Sequence, residues 1–157
     1  MPLQTRRGGR RTSPTVLLIE LPLIRPRPVR SGVKVLIVED SPLVRKMYGL
    51  ALSPREHELT TAEDGRRALE ILADPAHPFD LILLDLRMPD MDGVAFLREL
   101  RRHPRLRLLP VVLTTVEPDG SDLLAEATML GVTAVVKKPW KPQHLRQVVQ
   151  TLSESGT

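Results

Sequence analysis

Several polar residues in this chain stand directly after short apolar runs, and their types suggest joint chemistry. Glu39 and Asp40 follow Val35 to Val38, and Asp85 follows Leu81 to Leu84. Thr114 and Thr115 follow Val111 to Leu113, and Lys137 and Lys138 follow Val132 to Val136. Alone, each has an ordinary explanation: an aspartate after a strand caps a helix, a threonine satisfies loop backbone, a lysine is a solvated charge. At one edge of one sheet they would form a site. Carboxylates sharing a crevice repel, and either raised pKa values or a bound cation relieves that repulsion. Oxygen donors without histidine or cysteine suit a hard ion, and Mg²⁺ is the abundant cytosolic one.

For these residues to meet, the apolar runs must be neighbouring strands. From Val33 onward apolar runs alternate with helical patterns, which predicts a parallel sheet. Val33 to Val38, Leu81 to Leu84, Val111 to Leu113 and Val132 to Val136 are mostly unbroken in apolarity, as strands covered on both faces should be. Glu58 to Ala62 is more polar and is expected at an edge. Ser41 ahead of Pro42, then Asp64, Asp92 and Ser121, are placed to cap helices, and Gly131 to end the fourth. Leu145, Val148, Val149 and Leu152 give the fifth helix its apolar stripe. About 120 residues of strand and helix in alternation fit an open, doubly wound α/β sheet rather than a barrel of eight such units. In such a sheet, chemistry belongs beyond the carboxyl ends of the strands.

Composition agrees with one domain. The chain has 157 residues, 41% hydrophobic and 27% charged, with no cysteine, so disulfides and thiolate chemistry are excluded and a reducing, cytoplasmic setting fits. Its apolar runs are too short to span a bilayer, so no membrane role is expected. The net charge of +4 would at face value advertise a polyanion partner. It is unevenly spread, however. Residues 1 to 32 hold seven arginines against Glu20 and five of the fifteen prolines, whereas the remainder has sixteen basic and eighteen acidic residues. The expected organisation is a disordered basic arm over 1 to 32, one domain over 33 to 153 and a tail over 154 to 157. Glu20 and Pro22 interrupt the apolar stretch Val16 to Ile24 and argue against a secretory signal. No aromatic residue interleaves the arginines, so direct nucleic-acid binding is not expected.

Four ordered motifs then carry a family resemblance: Val35-Leu36-Ile37-Val38-Glu39-Asp40-Ser41, Asp80 to Gly93, Val112-Leu113-Thr114-Thr115, and Val136-Lys137-Lys138-Pro139-Trp140. The stretch Lys34 to Leu152 resembles the receiver domains of two-component response regulators, of which single-domain CheY-like proteins are one form. The resemblance implies a flavodoxin-like sheet of strand order 2-1-3-4-5 with five helices. It also implies a phosphoacceptor rather than an enzyme with a separate substrate. Asp85 would take a phosphoryl group from a phosphohistidine of a histidine kinase or phosphotransfer protein. Mg²⁺ would be held by Asp40, Asp85 and the backbone carbonyl of Arg87, with help from Glu39. Lys138 would pair with Asp85 ahead of a cis Lys138-Pro139 bond, and Thr114 would donate its hydroxyl to the phosphoryl group. Thr114 is preferred to Thr115 because the family usually has a small residue in the following place. Partners would be the phosphodonor and a downstream target protein, with the chain a monomer or a phosphorylation-dependent dimer.

Departures from the family pattern sharpen the expectations. Val135 stands where many receivers carry a switching aromatic, so output should depend on backbone movement around the fourth strand and helix. Arg87, two residues after Asp85, is placed to touch the phosphoryl group or obstruct water. It also stands where an aspartyl-nucleophile phosphatase of the haloacid-dehalogenase type would need a second aspartate, which argues against that reading. A degenerate receiver acting as a phosphorylation-independent binding module is the remaining alternative. His57, His77, His103 and His144 lack ligand spacing and are expected at the surface, and Arg98, Arg101, Arg102, Arg105 and Arg107 are expected to form a solvated face complementing a helix C-terminus. After the fifth helix, Ser153 to Thr157 is too short for an output domain, so the output is expected in another protein.

Overall fold

The structure is a computed structural model that describes residues 32 to 154. The expectations for the arm, residues 1 to 31, and for the last three residues lie outside the described residues. The elements alternate: β1 Lys34–Val38, α1 Pro42–Leu52, β2 Glu58–Ala62, α2 Gly65–Ala73, β3 Leu81–Asp85, α3 Gly93–Arg102, β4 Val111–Thr115, α4 Asp122–Met129, β5 Ala134–Lys137 and α5 Pro142–Glu154. All neighbouring strands are parallel, in the order β2-β1-β3-β4-β5, which is the flavodoxin-like α/β arrangement. The polar strand β2 lies at an edge.

Strand alternation divides the core into two layers. Leu36, Val38, Ile82, Leu84 and Leu113 face one side and pack with Leu72, Phe96, Leu97, Leu100 and Ala127 from α2, α3 and α4. Val35, Ile37, Leu83, Val112 and Val136 face the other and pack with Tyr48, Leu52, Leu145 and Val149 from α1 and α5. Helix starts follow the expected chemistry. Ser41, Asp64, Asp92 and Ser121 each accept a backbone N–H, from Val44, Arg67, Ala95 and Leu124. Beyond α4, Gly131 has φ +80, a backbone state in which a Cβ is disfavoured.

Several strand boundaries differ from expectation: β1 starts one residue later, β3 takes in Asp85, and β4 and β5 shift most. β4 runs on through Thr114 and Thr115 because the ladder continues on both sides, pairing Asp85 with Thr114 and Thr115 with Lys137. β5 begins at Ala134 rather than Val132, since Thr133 first bonds across to Val111 through its N–H and accepts the Val111 N–H on its hydroxyl. The arginine face needs correction at Arg101, while Arg98, Arg102, Arg105 and Arg107 are exposed as expected. Arg101 is partly buried and donates to the carbonyls of Arg107, Leu109, Leu130 and Gly131, tying α3 to the end of α4 and the approach to β4. Arg105 donates to the carbonyls of Leu72 and Ala73 at the end of α2. Carbonyls that a helix end leaves unpaired explain why the Arg101 guanidinium turns inward and why Arg105, though exposed, reaches across to the end of α2.

The loop from β3 to α3 passes very close to Gly93, where a Cβ would lie 2.7 Å from the Asp85 carbonyl oxygen and 2.8 Å from the Leu86 Cα. Backbone cannot rotate aside as a side chain can. Gly93→Ala is therefore expected to lower stability by about 2 kcal/mol in urea unfolding.

Candidate functional site

β1 and β3 lie side by side with Val38 opposite Leu84, so the residues that leave their carboxyl ends share one edge of the sheet. Glu39 is held there by its N–H bond to Ala62 of β2 at 3.0 Å and by the Ser41 N–H on its own Oε1 at 3.1 Å. Arg45 of α1 donates to the carbonyls of Glu39 and Asp40, fixing the turn that follows β1. Glu39 and Asp85 are buried, whereas Asp40 is exposed at the mouth. Carboxylate oxygens of the three lie within 4.8 Å of one another.

One cation reaches into this cluster. Lys138 Nζ lies 2.7 Å from Glu39 Oε2 and 3.4 Å from Asp85 Oδ1. Its backbone is anchored by an N–H bond to the Thr115 carbonyl at 2.8 Å, and the bond to Pro139 is cis. Burial raises the carboxyl pKa of both Glu39 and Asp85, opposed by Lys138; the Asp40 charge raises Asp85 further. One ammonium against three carboxylates leaves an excess of negative charge in a partly desolvated place. An all-oxygen donor set with that excess fits a divalent hard cation.

The two threonines part company. Thr114, fully buried, accepts the Tyr48 O–H at 2.6 Å and points its own hydroxyl at the Leu84 carbonyl at 3.5 Å. Thr115, on the opposite face of β4, accepts the Glu117 N–H at 3.0 Å, and its hydroxyl proton has no acceptor among the described residues. Tyr48 packs against Trp140, the ring centroids 4.7 Å apart, and burial pushes its phenol well above the usual tyrosine range. Sequence reasoning missed Tyr48 and Trp140. The available signal was a hydroxyl on the inward stripe of α1, with Val44, Ala51 and Leu52, because a buried phenol needs a partner. Tyr48→Phe is expected to cost about 1 kcal/mol, visible as a fall in Tm of about 4 °C.

Arg87 donates its N–H to Asp85 Oδ1 at 3.4 Å, while its guanidinium pairs with Glu117. Lys137 turns away from the acids, bonding the Glu117 carbonyl and pairing with Asp119 at 2.9 Å. Val135 is partly exposed, at 38%. His77, His103 and His144 are exposed; His57 is intermediate and its Nδ1 has no partner. Among the described residues no helix is long and apolar enough to cross a membrane.

Comparison with known proteins agrees with this geometry. The response regulator receiver domain model matches residues 35–150. The regulatory protein AtoC of Escherichia coli is 38% identical over 117 residues, covering 74% of this chain but only 24% of AtoC, so the chain spans about a quarter of that relative's length. The chemotaxis protein CheY of Pseudomonas aeruginosa is 34% identical over 122 residues, covering 77% of this chain and 96% of that protein. The Mn²⁺-bound form of the response regulator Rcp1 is a structural neighbour with a TM-score of 0.64 at 30% identity, covering 76% of this chain and 91% of its own. The acidic cluster is thus of the kind that receivers use to hold a metal ion. With its strand order, its three clustered carboxylates and its lysine before a cis-proline, the chain belongs to the response regulator receiver domain family.

Proposed function

We propose that the chain is a receiver that takes a phosphoryl group onto Asp85 from a phosphohistidine of a sensor kinase or phosphotransfer protein and signals through phosphorylation-dependent contact with a target protein. The observation that carries this reading is Lys138 Nζ lying between Glu39 and Asp85 while Asp40 closes the acidic cluster at its mouth.

Asp85 acts as nucleophile. A carboxylate oxygen attacks phosphorus, the P–N bond to the donor imidazole breaks, and the leaving nitrogen takes up a proton. Phosphoryl transfer asks the protein chiefly for positioning and charge stabilisation. Asp40, Asp85, the Arg87 carbonyl and Glu39 would hold Mg²⁺, which when bound would supply positive charge to offset the carboxylates and the phosphoryl group. Lys138 keeps Asp85 ionised and aimed, and then pairs with a phosphoryl oxygen. Thr115 rather than Thr114 donates the hydroxyl that senses the phosphoryl group. Thr114, the sequence expectation, has its hydroxyl committed to Tyr48 and Leu84.

The experiment is incubation of the full chain with phosphoramidate, a small P–N donor, followed by phosphate-affinity electrophoresis. A retarded band is expected with Mg²⁺ and not with EDTA, and hydroxylamine should remove it, as for an acyl phosphate. A band indifferent to EDTA and hydroxylamine would contradict the reading.

A further inference from the structure

The loop between β4 and α4 is tied down by charge from two sides. Glu117 is only 6% exposed although it lies in a loop. Its carboxylate pairs with Arg87 of the β3–α3 loop, its carbonyl accepts from Lys137 of β5, and its N–H donates to Thr115 of β4. Lys137 also pairs with Asp119 two residues further along. Arg87 is the movable member: its side chain is 67% exposed, whereas its own N–H lies 3.4 Å from the Asp85 carboxylate. The cation that closes the loop is therefore rooted beside the nucleophile.

We propose that the Arg87–Glu117 pair is a latch on the β4–α4 loop and that a phosphoryl group on Asp85 opens it by taking Arg87 from Glu117. The proposal rests on the phosphoacceptor reading above. An aspartyl phosphate brings up to two negative charges and several acceptor oxygens, and the guanidinium fork suits phosphate oxygens bidentately. Glu117, only 6% exposed, would then lose its paired cation and keep only the Ser121 hydroxyl and the nearby Lys137 charge, so the segment moves outward to solvent. Thr115 acts on the same residue. When its hydroxyl turns to the phosphoryl group, its bond to the Glu117 N–H is loosened. The latch gives this chain a route from phosphoryl group to loop that needs no aromatic at Val135. It also supplies the differential interaction that a population shift requires.

The test is amide hydrogen exchange of residues 116 to 121 in the full chain, with and without acetyl phosphate and Mg²⁺, with intact mass read on each sample. Modified wild-type protein is expected to exchange about tenfold faster in this segment than unmodified protein. Glu117→Ala and Arg87→Ala should each show the faster exchange before modification and gain little from it, while Arg87→Lys should restore part of the protection. A phosphoryl adduct in wild type with unchanged loop exchange would overturn the latch and leave the phosphoacceptor reading standing. Absence of any adduct would overturn that reading and the trigger with it. Loop exchange in both alanine variants equal to unmodified wild type would show that the pair holds nothing.

Discussion

Lys138→Met is expected to slow phosphorylation of Asp85 by about 100-fold or more and to lower stability by about 2 kcal/mol at neutral pH. Methionine keeps most of the stem and removes the charge. The kinetic loss follows because, among the described residues, no other side-chain cation contacts the carboxylate of Glu39 or Asp85. The stability loss follows because two buried carboxylates would face each other without a cation, and it is tempered by the partial exposure of the lysine. Its pH dependence has a definite sign. Glu39 and Asp85 already have raised pKa values in the fold, and losing Lys138 raises them further. Such groups penalise the fold when ionised. The penalty is complete above the raised values and disappears below the ordinary ones of 4.5 and 3.8. The gap between variant and wild type should therefore close as urea unfolding is repeated from pH 7 down toward pH about 4. A constant gap would mean lost packing instead.

Asp85→Asn should make the metal-free protein more stable, by about 1 kcal/mol at pH 7 or about 4 °C in Tm, while ending phosphorylation. The amide removes a buried charge and its repulsion with Asp40, and Lys138 keeps its 2.7 Å contact with Glu39. The gain should shrink as pH falls through the raised Asp85 pKa, because the wild-type carboxyl is then neutral as well. Mg²⁺ discriminates further: binding only to the folded state should raise the wild-type Tm with concentration, and far less in the variant. A variant less stable than wild type and equally responsive to Mg²⁺ would remove Asp85 from the metal-binding set.

Much of the fold was legible because local signals agree with one another. Unbroken apolar runs marked the strands covered on both faces, the polar run Glu58 to Ala62 marked the edge, and four capping residues marked helix starts. The convergence of Glu39, Asp40 and Asp85 followed once β1 and β3 were neighbours. Contacts between elements distant in sequence were less legible. Nothing local tells that Tyr48 finds Thr114 across 66 residues, that Arg87 finds Glu117 across 30, or that Arg101 reaches the end of α4. The choice between Thr114 and Thr115 shows the difficulty at its smallest scale. One residue of strand register decides which hydroxyl lies against α1 and which turns to the β4–α4 loop.

The central claim, that Asp85 accepts the phosphoryl group, is tested most directly by intact mass after incubation with acetyl phosphate and Mg²⁺, comparing wild type with Asp85→Asn. A single adduct of about 80 Da is expected in wild type and none in the variant. No adduct in wild type at any Mg²⁺ concentration, or an equal adduct in Asp85→Asn, would contradict it.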